Sequence, residues 1–313
     1  MEFIVVSTIN GLIYGLLLFM VSAGLTLVFG MMGIINFAHA SFYMIGAYLA
    51  YSLVKLIGFA GALIVAPILV GIIGIVVERF LLRPVHKFGH AHELLMTFGL
   101  AFVAEELMKL VFGNYAVPYN VPAALRFPAF SLFGTDYPFY RIFVGLTALV
   151  LFSILFYLLR RTRAGIVVRA AVQRPAMTGA LGHNVDTLFM GTFGLGAWMA
   201  GVAGVVGGAL LTTSPNMALE MGVLVFVVVV VGGLGSLEGA FAASLIIGLL
   251  TSLSIGIDVS LADLFGYLGL GGAVTALGGP FVVKLSTFAG AMPVLVMLIV
   301  LMVRPAGLFG DRL

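Results

Sequence analysis

Apolar segments of roughly 20 residues recur along this chain, and they constrain its fold more than any other feature. Such a length is what a membrane-spanning helix needs, about 20 residues. The segments lack the two-residue alternation of a membrane β-strand. Only 9% of the 313 residues are charged, against about 25% in soluble domains. The sequence therefore predicts an all-α integral membrane protein and argues against a soluble enzyme.

The apolar segments predict a polytopic helical bundle of about eight to ten transmembrane helices. The first segment is long for a single helix, so we expect a tilt, a break or a short second element there. The glycine-rich stretch 256–288 fits an external excursion, a re-entrant segment or a further span. The predicted spans cover residues 3–33, 42–57, 59–82, 94–112, 139–159, 187–211, 221–234, 239–255 and 289–303.

Basic residues are concentrated in a few loops, which predicts the orientation of the bundle. Five of the 15 lysines and arginines lie in segment 160–186, and loop 83–93 is also basic. Short loops with such an excess stay in the cytoplasm. Loop 113–138 then falls outside, and nine spans place the N-terminus outside as well. The net charge of +3 thus reflects loops facing membrane lipid, and we expect no nucleic-acid partner.

Motifs that would give the chain its own catalytic or energy-coupling chemistry are missing from the sequence. No Gly-Lys pair occurs, so a phosphate-binding P-loop is excluded. We expect no catalytic residues and no metal site, and we interpret His90-Ala91-His92-Glu93 as part of a solvated loop. Acidic residues do not recur within the spans as a proton relay requires. Glu105 and Lys109, four residues apart, favour a structural ion pair.

A polar interruption follows the first apolar segment. Asn36, Phe37, His39, Ser41 and Tyr43 stand between apolar stretches. Helical spacing puts Asn36, His39 and Tyr43 on one face, at positions i, i+3 and i+7. Such a stripe either lines a solute path or forms hydrogen bonds between helices.

Two further segments have a distinctive composition. Gly232, Gly233, Gly235 and Ser236 predict a tight turn between two spans, because so many glycines disfavour a straight helix. In segment 160–186, a short helix is expected near residues 170–172 and an amphipathic helix at 176–182. A surface helix of this kind fits docking to a soluble partner or attachment to anionic lipid.

Several ordered motifs resemble the branched-chain amino acid ABC transporter permeases of the LivH type. The similar blocks cover nearly the whole chain. The motif Asn36-Phe37-Ala38-His39 is one of them, although this chain continues with Ala40-Ser41 where the family commonly has Gly-Glu. The other blocks are 24–30, 42–48, 169–186, 214–216, 232–236 and 304–308.

The resemblance implies a single transmembrane permease domain, 1–313, in the bacterial inner membrane. It implies a second LivM-like permease, two ATPase subunits that bind ATP and Mg²⁺, and a soluble substrate-binding protein. The chain itself would hold no cofactor and would not be an enzyme. Residues Asn36 to Tyr43 would line the substrate pathway. Coupling to the ATPases would involve Arg169, Gln173, Arg174, Pro175, Gly182 and Asn184.

The resemblance leaves the identity of the transported solute open. A branched-chain or other amino acid is expected first, and relatives of the family also carry urea, short amides or aromatic acids. A self-sufficient secondary transporter or channel is the alternative from a different class, and it predicts uptake by this chain alone.

Overall fold

A computed structural model describes residues 2–310 except 133, 257–259, 261, 262, 264 and 266–282. Most of the predicted stretch 256–288 therefore lies outside the described residues. The helices are α1 (Glu2–Met32), α2 (His39–Val77), α3 (Arg83–His86), α4 (His90–Phe112), α5 (Phe139–Arg161), α6 (Arg163–Gln173), α7 (Pro175–Ala180), α8 (Val185–Leu210), α9 (Met217–Gly232), α10 (Leu237–Gly256) and α11 (Met292–Val303). A π-helical turn, Glu78–Leu82, joins α2 to α3, and 3₁₀ turns cover Ala123–Leu125 and Leu285–Ala291.

Helix length and composition confirm the predicted class of helical membrane protein. Among the described residues, six helices are long and apolar enough to cross a membrane, and the longest of these runs from His39 to His86 over 48 residues. At about 1.5 Å per residue such a helix would be far longer than the roughly 30 Å hydrocarbon core. Gly58 divides this long helix into two shorter segments, because its φ of 72° and ψ of 173° interrupt α2.

The first half of α2, residues 39–57, runs parallel to α8. A Cβ atom placed on Gly204 would overlap the carbonyl oxygen of Tyr43, and one placed on Gly208 would lie 2.7 Å from the Cβ of Ala47. The residue numbers of the two helices thus increase together, and the missing side chains let the backbones approach closely.

The second half of α2, residues 59–77, runs antiparallel to the same helix. A Cβ atom on Gly201 would lie 3.1 Å from the Cα of Pro67, and Gly194 lies against Ile75. Helix α2 is therefore a hairpin of two spans folded at Gly58. With α2 counted as two segments, the described residues contain nine helical segments of at least 12 residues, which is within the predicted number of about eight to ten.

Helix α1 forms the centre of the bundle and is continuous over 31 residues. Of the tilt, break or second element expected in this segment, the break and the second element are therefore wrong. Leu17, Leu18 and Phe19 are fully buried, and α1 contacts α8, α10 and α5. A Cβ atom on Gly15 would lie 2.6 Å from the carbonyl oxygen of Ser244. Because packing covers α1 over much of its length, it needs no interruption.

The loop between α4 and α5 contains an antiparallel hairpin that the all-α expectation did not include. Strand β1 covers Pro128–Leu132 and β2 covers Thr135–Pro138. Phe130 stacks on Tyr137 with ring centroids 5.3 Å apart. The Tyr119 hydroxyl in the same loop donates to the carbonyl oxygen of Val205 at 2.8 Å, and burial raises its pKa, so the donor proton stays in place. We call this end of the bundle, with Gly58, the outer end, after the orientation predicted from the basic loops.

Candidate solute groove and docking segment

The connection from α1 to α2 turns back along the bundle. The Nε2 atom of His39 lies 3.0 Å from the carbonyl oxygen of Val21, which is eleven residues before Met32 at the end of α1. Helix α2 therefore begins within the bundle. Asn36 lies before the helix, where its side-chain oxygen accepts from the Ala38 amide at 3.0 Å. The expected single face through Asn36, His39 and Tyr43 is thus wrong, because the helix starts only at His39.

Three of the five polar-interruption residues lie at contacts between helices. Asn36, His39 and Tyr43 are each at most 2% exposed. A Cβ atom on Gly24 would lie 2.9 Å from the His39 ring. Within the described residues, Nδ2 of Asn36, Nδ1 of His39 and the Tyr43 hydroxyl have no hydrogen-bond partner. Their burial fits a role in packing α2 against α1 and α8.

The other two, Phe37 and Ser41, line a groove of about 300 Å³. We call it the α2–α4–α9 groove, after the helices that form its walls. Four of its eleven lining residues are phenylalanines. The Phe37 ring stacks on Phe226 at 6.1 Å and meets the Phe98 ring edge-on at 6.2 Å. The remaining lining residues are Ala101, Phe102, Glu105, Ala218, Leu219, Gly222 and Val223.

Glu105 brings a charge into this apolar groove. Its carboxylate lies 2.7 Å from the Lys109 ammonium, as the spacing of four residues predicted, and Glu106 lies 2.8 Å from the same ammonium. Two carboxylates share one cation, so the cluster has a net charge of −1. The sequence reading missed the proximity of Glu105 to Ser41, the position at which the family pattern has a glutamate. The serine in place of that glutamate is the sequence feature that points to a carboxylate supplied from another part of the chain.

The opposite end of the bundle carries a short helix pair, α6 and α7, and we call residues 163–181 the docking segment. Thr162 caps α6 by accepting from the Gly165 amide at 3.1 Å. Ile166 and Met177 are each 57% exposed, and Leu181 is 78% exposed. We call this end of the bundle the inner end, after the same predicted orientation. It presents apolar side chains with exposed Arg163, Arg169 and Arg174 around them.

The other residues predicted to couple to an ATPase lie in the docking segment or directly after it. The backbone places Gln173 at the end of α6 and Pro175 at the start of α7. Gly182 has a φ of 87° in the turn that follows α7. Asn184 caps α8, since its side-chain oxygen accepts from the Thr187 amide at 3.1 Å. Gly182 and Asn184 thus fix the direction in which the chain leaves the docking segment.

A tight turn joins α9 to α10, also at the inner end. Gly233 and Gly235 have φ angles of 100° and 85°, which L side chains rarely adopt. Ser236 accepts from the Gly239 amide at 3.1 Å and so caps α10. Gly232 lies against the Gly239 backbone.

The C-terminal residues after α11 contact this turn, an arrangement that no local pattern indicated. The Leu308 amide donates to the carbonyl oxygen of Val231 at 2.8 Å, and the Phe309 amide donates to that of Gly232 at 3.0 Å. The last described residues are thereby held on α9.

Loop 83–93 differs from the solvated loop expected. Glu93 is only 1% exposed and is paired with His86 and with His90 at 3.2 Å. The loop interpretation is therefore wrong for Glu93, which lies in the first turn of α4 and is covered by neighbouring side chains. Among the described residues, no group of three or more His, Cys, Asp and Glu could hold a metal ion.

Sequence comparison assigns this helical membrane bundle to a class of transport permeases. Residues 7–302 match the model of the branched-chain amino acid transport system permease component family. Since the match covers most of the chain, the protein belongs to this family.

Individual relatives resemble the chain over most of its length. The high-affinity branched-chain amino acid transport system permease protein LivH of Salmonella typhimurium is 30% identical over 78% of this chain and 84% of its own. BraD of Pseudomonas aeruginosa is 29% identical over 82% and 86%. A probable LivH of Methanocaldococcus jannaschii is 30% identical over 82% of both chains. A solved structure, PsaBC from Streptococcus pneumoniae, aligns with a TM-score of 0.45 at 15% identity over 95% of this chain and 91% of that chain, too distant for inference.

Proposed function

We propose that the protein is the transmembrane permease subunit of an ABC importer for branched-chain amino acids in a bacterial inner membrane. Family membership supports transport, and the relatives' names support this class of solute. ATP and Mg²⁺ bind to partner ATPase subunits, because this sequence has no phosphate-binding motif of its own.

The exposed docking segment is the observation that carries the proposal. Its apolar residues Ile166, Met177 and Leu181 are accessible at the end of the bundle whose loops are basic. Exposed apolar side chains surrounded by charge are typical of a surface that binds another protein. The ATPase binds there, through Arg169, Gln173, Arg174, Pro175, Gly182 and Asn184, and nucleotide-driven movement reaches α5 and α8 through the docking segment.

The importer contains two permease subunits, of which the second is a LivM-like chain, and a soluble binding protein delivers the solute to the outer end. The substrate pathway runs past the polar interruption, with Phe37 and Ser41 on its surface. Asn36, His39 and Tyr43 hold this part of the pathway in place from behind.

Reconstitution tests the proposal directly. The chain is co-expressed with the permease, ATPase and binding-protein genes that accompany it, and the purified complex is placed in proteoliposomes. We expect radiolabelled L-leucine to accumulate with ATP and not with a non-hydrolysable ATP analogue. The chain alone serves as the control. Accumulation of solute by the chain alone would identify a secondary transporter instead, and ATP-driven uptake of urea but not leucine would reject the solute.

A further inference from the structure

The α2–α4–α9 groove combines phenylalanine rings with one acidic side chain, Glu105. Its volume of about 300 Å³ is at the lower end of small-molecule sites, about 300–1,000 Å³. Most of its wall is apolar, and Phe37 is 44% exposed. A small solute with an apolar body therefore matches the groove in size and in character.

The acidic cluster at the groove offers a partner for a cationic group of the solute. Glu105, Glu106 and Lys109 together carry one uncompensated negative charge. The Glu105 side chain is only 17% exposed, and it is the member of the cluster that lines the groove. An uncompensated charge on an apolar helix of a membrane protein is costly against lipid, and such residues usually face a pathway or a partner. A cationic group in the groove would compensate it.

The Ser41 hydroxyl group offers a partner for an anionic group of the solute. The Ser41 oxygen is buried and has no hydrogen-bond partner, although Ser41 lines the groove. Ser41 also belongs to the first turn of α2, and the N-terminal end of a helix attracts anionic groups. A free hydroxyl donor at this helix end is suited to a carboxylate.

We propose that the groove is a transport site for a zwitterionic amino acid, in which Glu105 pairs with the solute ammonium, Ser41 donates to its carboxylate, and the wall of Phe37, Phe98 and Phe226 contacts its aliphatic side chain. The inference rests on the proposed function of amino-acid import. It adds the binding position within this chain and the group that recognises each part of the solute.

The charge is tested by Glu105→Gln in the reconstituted complex, with L-leucine uptake as the measurement. We expect the KM for uptake to rise about tenfold, since one charge-assisted contact is lost. The control is Glu220→Gln, which makes the same charge change on α9 outside the groove lining, and its KM should stay within about twofold.

The volume is tested by Gly222→Leu. A Cβ atom at Gly222 meets only the Cβ of Ala40, at 3.5 Å, so the substitution is tolerated at its base and its side chain fills the groove. We expect uptake to fall at least about tenfold while the complex still co-purifies. The control is Gly99→Leu on α4, where a Cβ atom meets nothing within 4 Å, and uptake should be unchanged.

The outcomes separate the inference from the function on which it rests. If the wild-type complex does not take up amino acids, the proposed function fails. If it takes up leucine and both groove variants keep wild-type kinetics, the groove is not the transport site. If Gly222→Leu instead releases the second permease from the complex, the groove is a subunit contact and the inference is overturned. Should Glu105→Gln fail to assemble, Gly222→Leu decides alone.

Discussion

Small residues have opposite surroundings at the α2–α8 contact and in the docking segment. At the contact, Gly204 and Gly208 are buried against α2 so closely that no side chain fits. On α7, Ala176, Gly179 and Ala180 are exposed, and a Cβ atom at Gly179 would meet nothing within 4 Å. Small residues permit a close backbone approach in both places. In one place the approach is complete within the chain, and in the other the small residues are exposed to solvent.

The comparison is tested most severely by filling the α2–α8 contact. For Gly204→Leu we expect loss of folded protein, because the new side chain overlaps the Tyr43 backbone and neither helix can move without displacing the core. The measurement is the yield of monodisperse protein after detergent extraction. Gly191→Leu, on the same helix with open space around it, should keep the wild-type yield. An equal yield from both variants would contradict the packing described.

Substitutions in the docking segment should weaken binding of the ATPase and leave the folding of the permease unchanged. For Arg169→Glu combined with Arg174→Glu, we expect ATPase affinity to fall about tenfold or more, or roughly 1.4 kcal/mol, with an unchanged melting temperature. Both side chains are exposed, so little folding energy depends on them. Affinity is measured by titrating purified ATPase onto the detergent-solubilised permease. The outer-end pair Lys55→Glu and Arg126→Glu is the control, and a similar loss there would show a non-specific charge effect.

Substitutions of His39 and Ser41, at the start of α2, should have smaller effects, and these should differ between the two positions. His39→Leu removes a buried hydrogen bond to Val21 and should lower the free energy of unfolding by about 1–2 kcal/mol. Ser41→Ala removes a hydroxyl that has no partner, so we expect a change below about 0.5 kcal/mol. Thermal unfolding in detergent measures both. If Ser41→Ala destabilises the protein as much as His39→Leu does, the two positions do not have the separate roles described.

The smallest effect is expected where α5 meets α10. Arg160 and Glu238 form an ion pair with side chains 57% and 41% exposed. Glu238→Gln should change the free energy of unfolding by less than about 0.5 kcal/mol, because solvent weakens such a pair. A loss above about 1 kcal/mol, or a loss that does not decrease at high salt, would place the pair in a less polar environment than its exposure indicates.

Apolar segment lengths predicted the helical class because the membrane imposes a length that any spanning helix must meet. The separation of spans two and three near Gly58 was also predictable, since the apolar pattern weakens there. The continuity of α1 was not predictable. Whether a long apolar segment breaks depends on what packs against it, and Gly15 against Ser244 is a contact between residues far apart in sequence.

The candidate site was predictable in part. The polar interruption after α1 identified the right region, because polar side chains within an apolar segment need a local reason. Which of them reach the groove depended on where α2 begins, and Asn36 lies outside the helix that the spacing argument assumed. Glu105 joins Ser41 only through the packing of α4 beside α2, which no periodicity encodes.

The hairpin of α2 has a consequence for how the chain enters the membrane during synthesis. Its first half contains His39, Ser41 and Tyr43, and polar residues make insertion of a single helix less favourable. The second half, from residue 59 to 77, contains no charged residue. Because Gly58 lets the two halves fold against each other, the apolar half can carry the polar half into the bilayer as one unit. An unbroken helix at position 58 would remove that route and leave the more polar half to insert by itself.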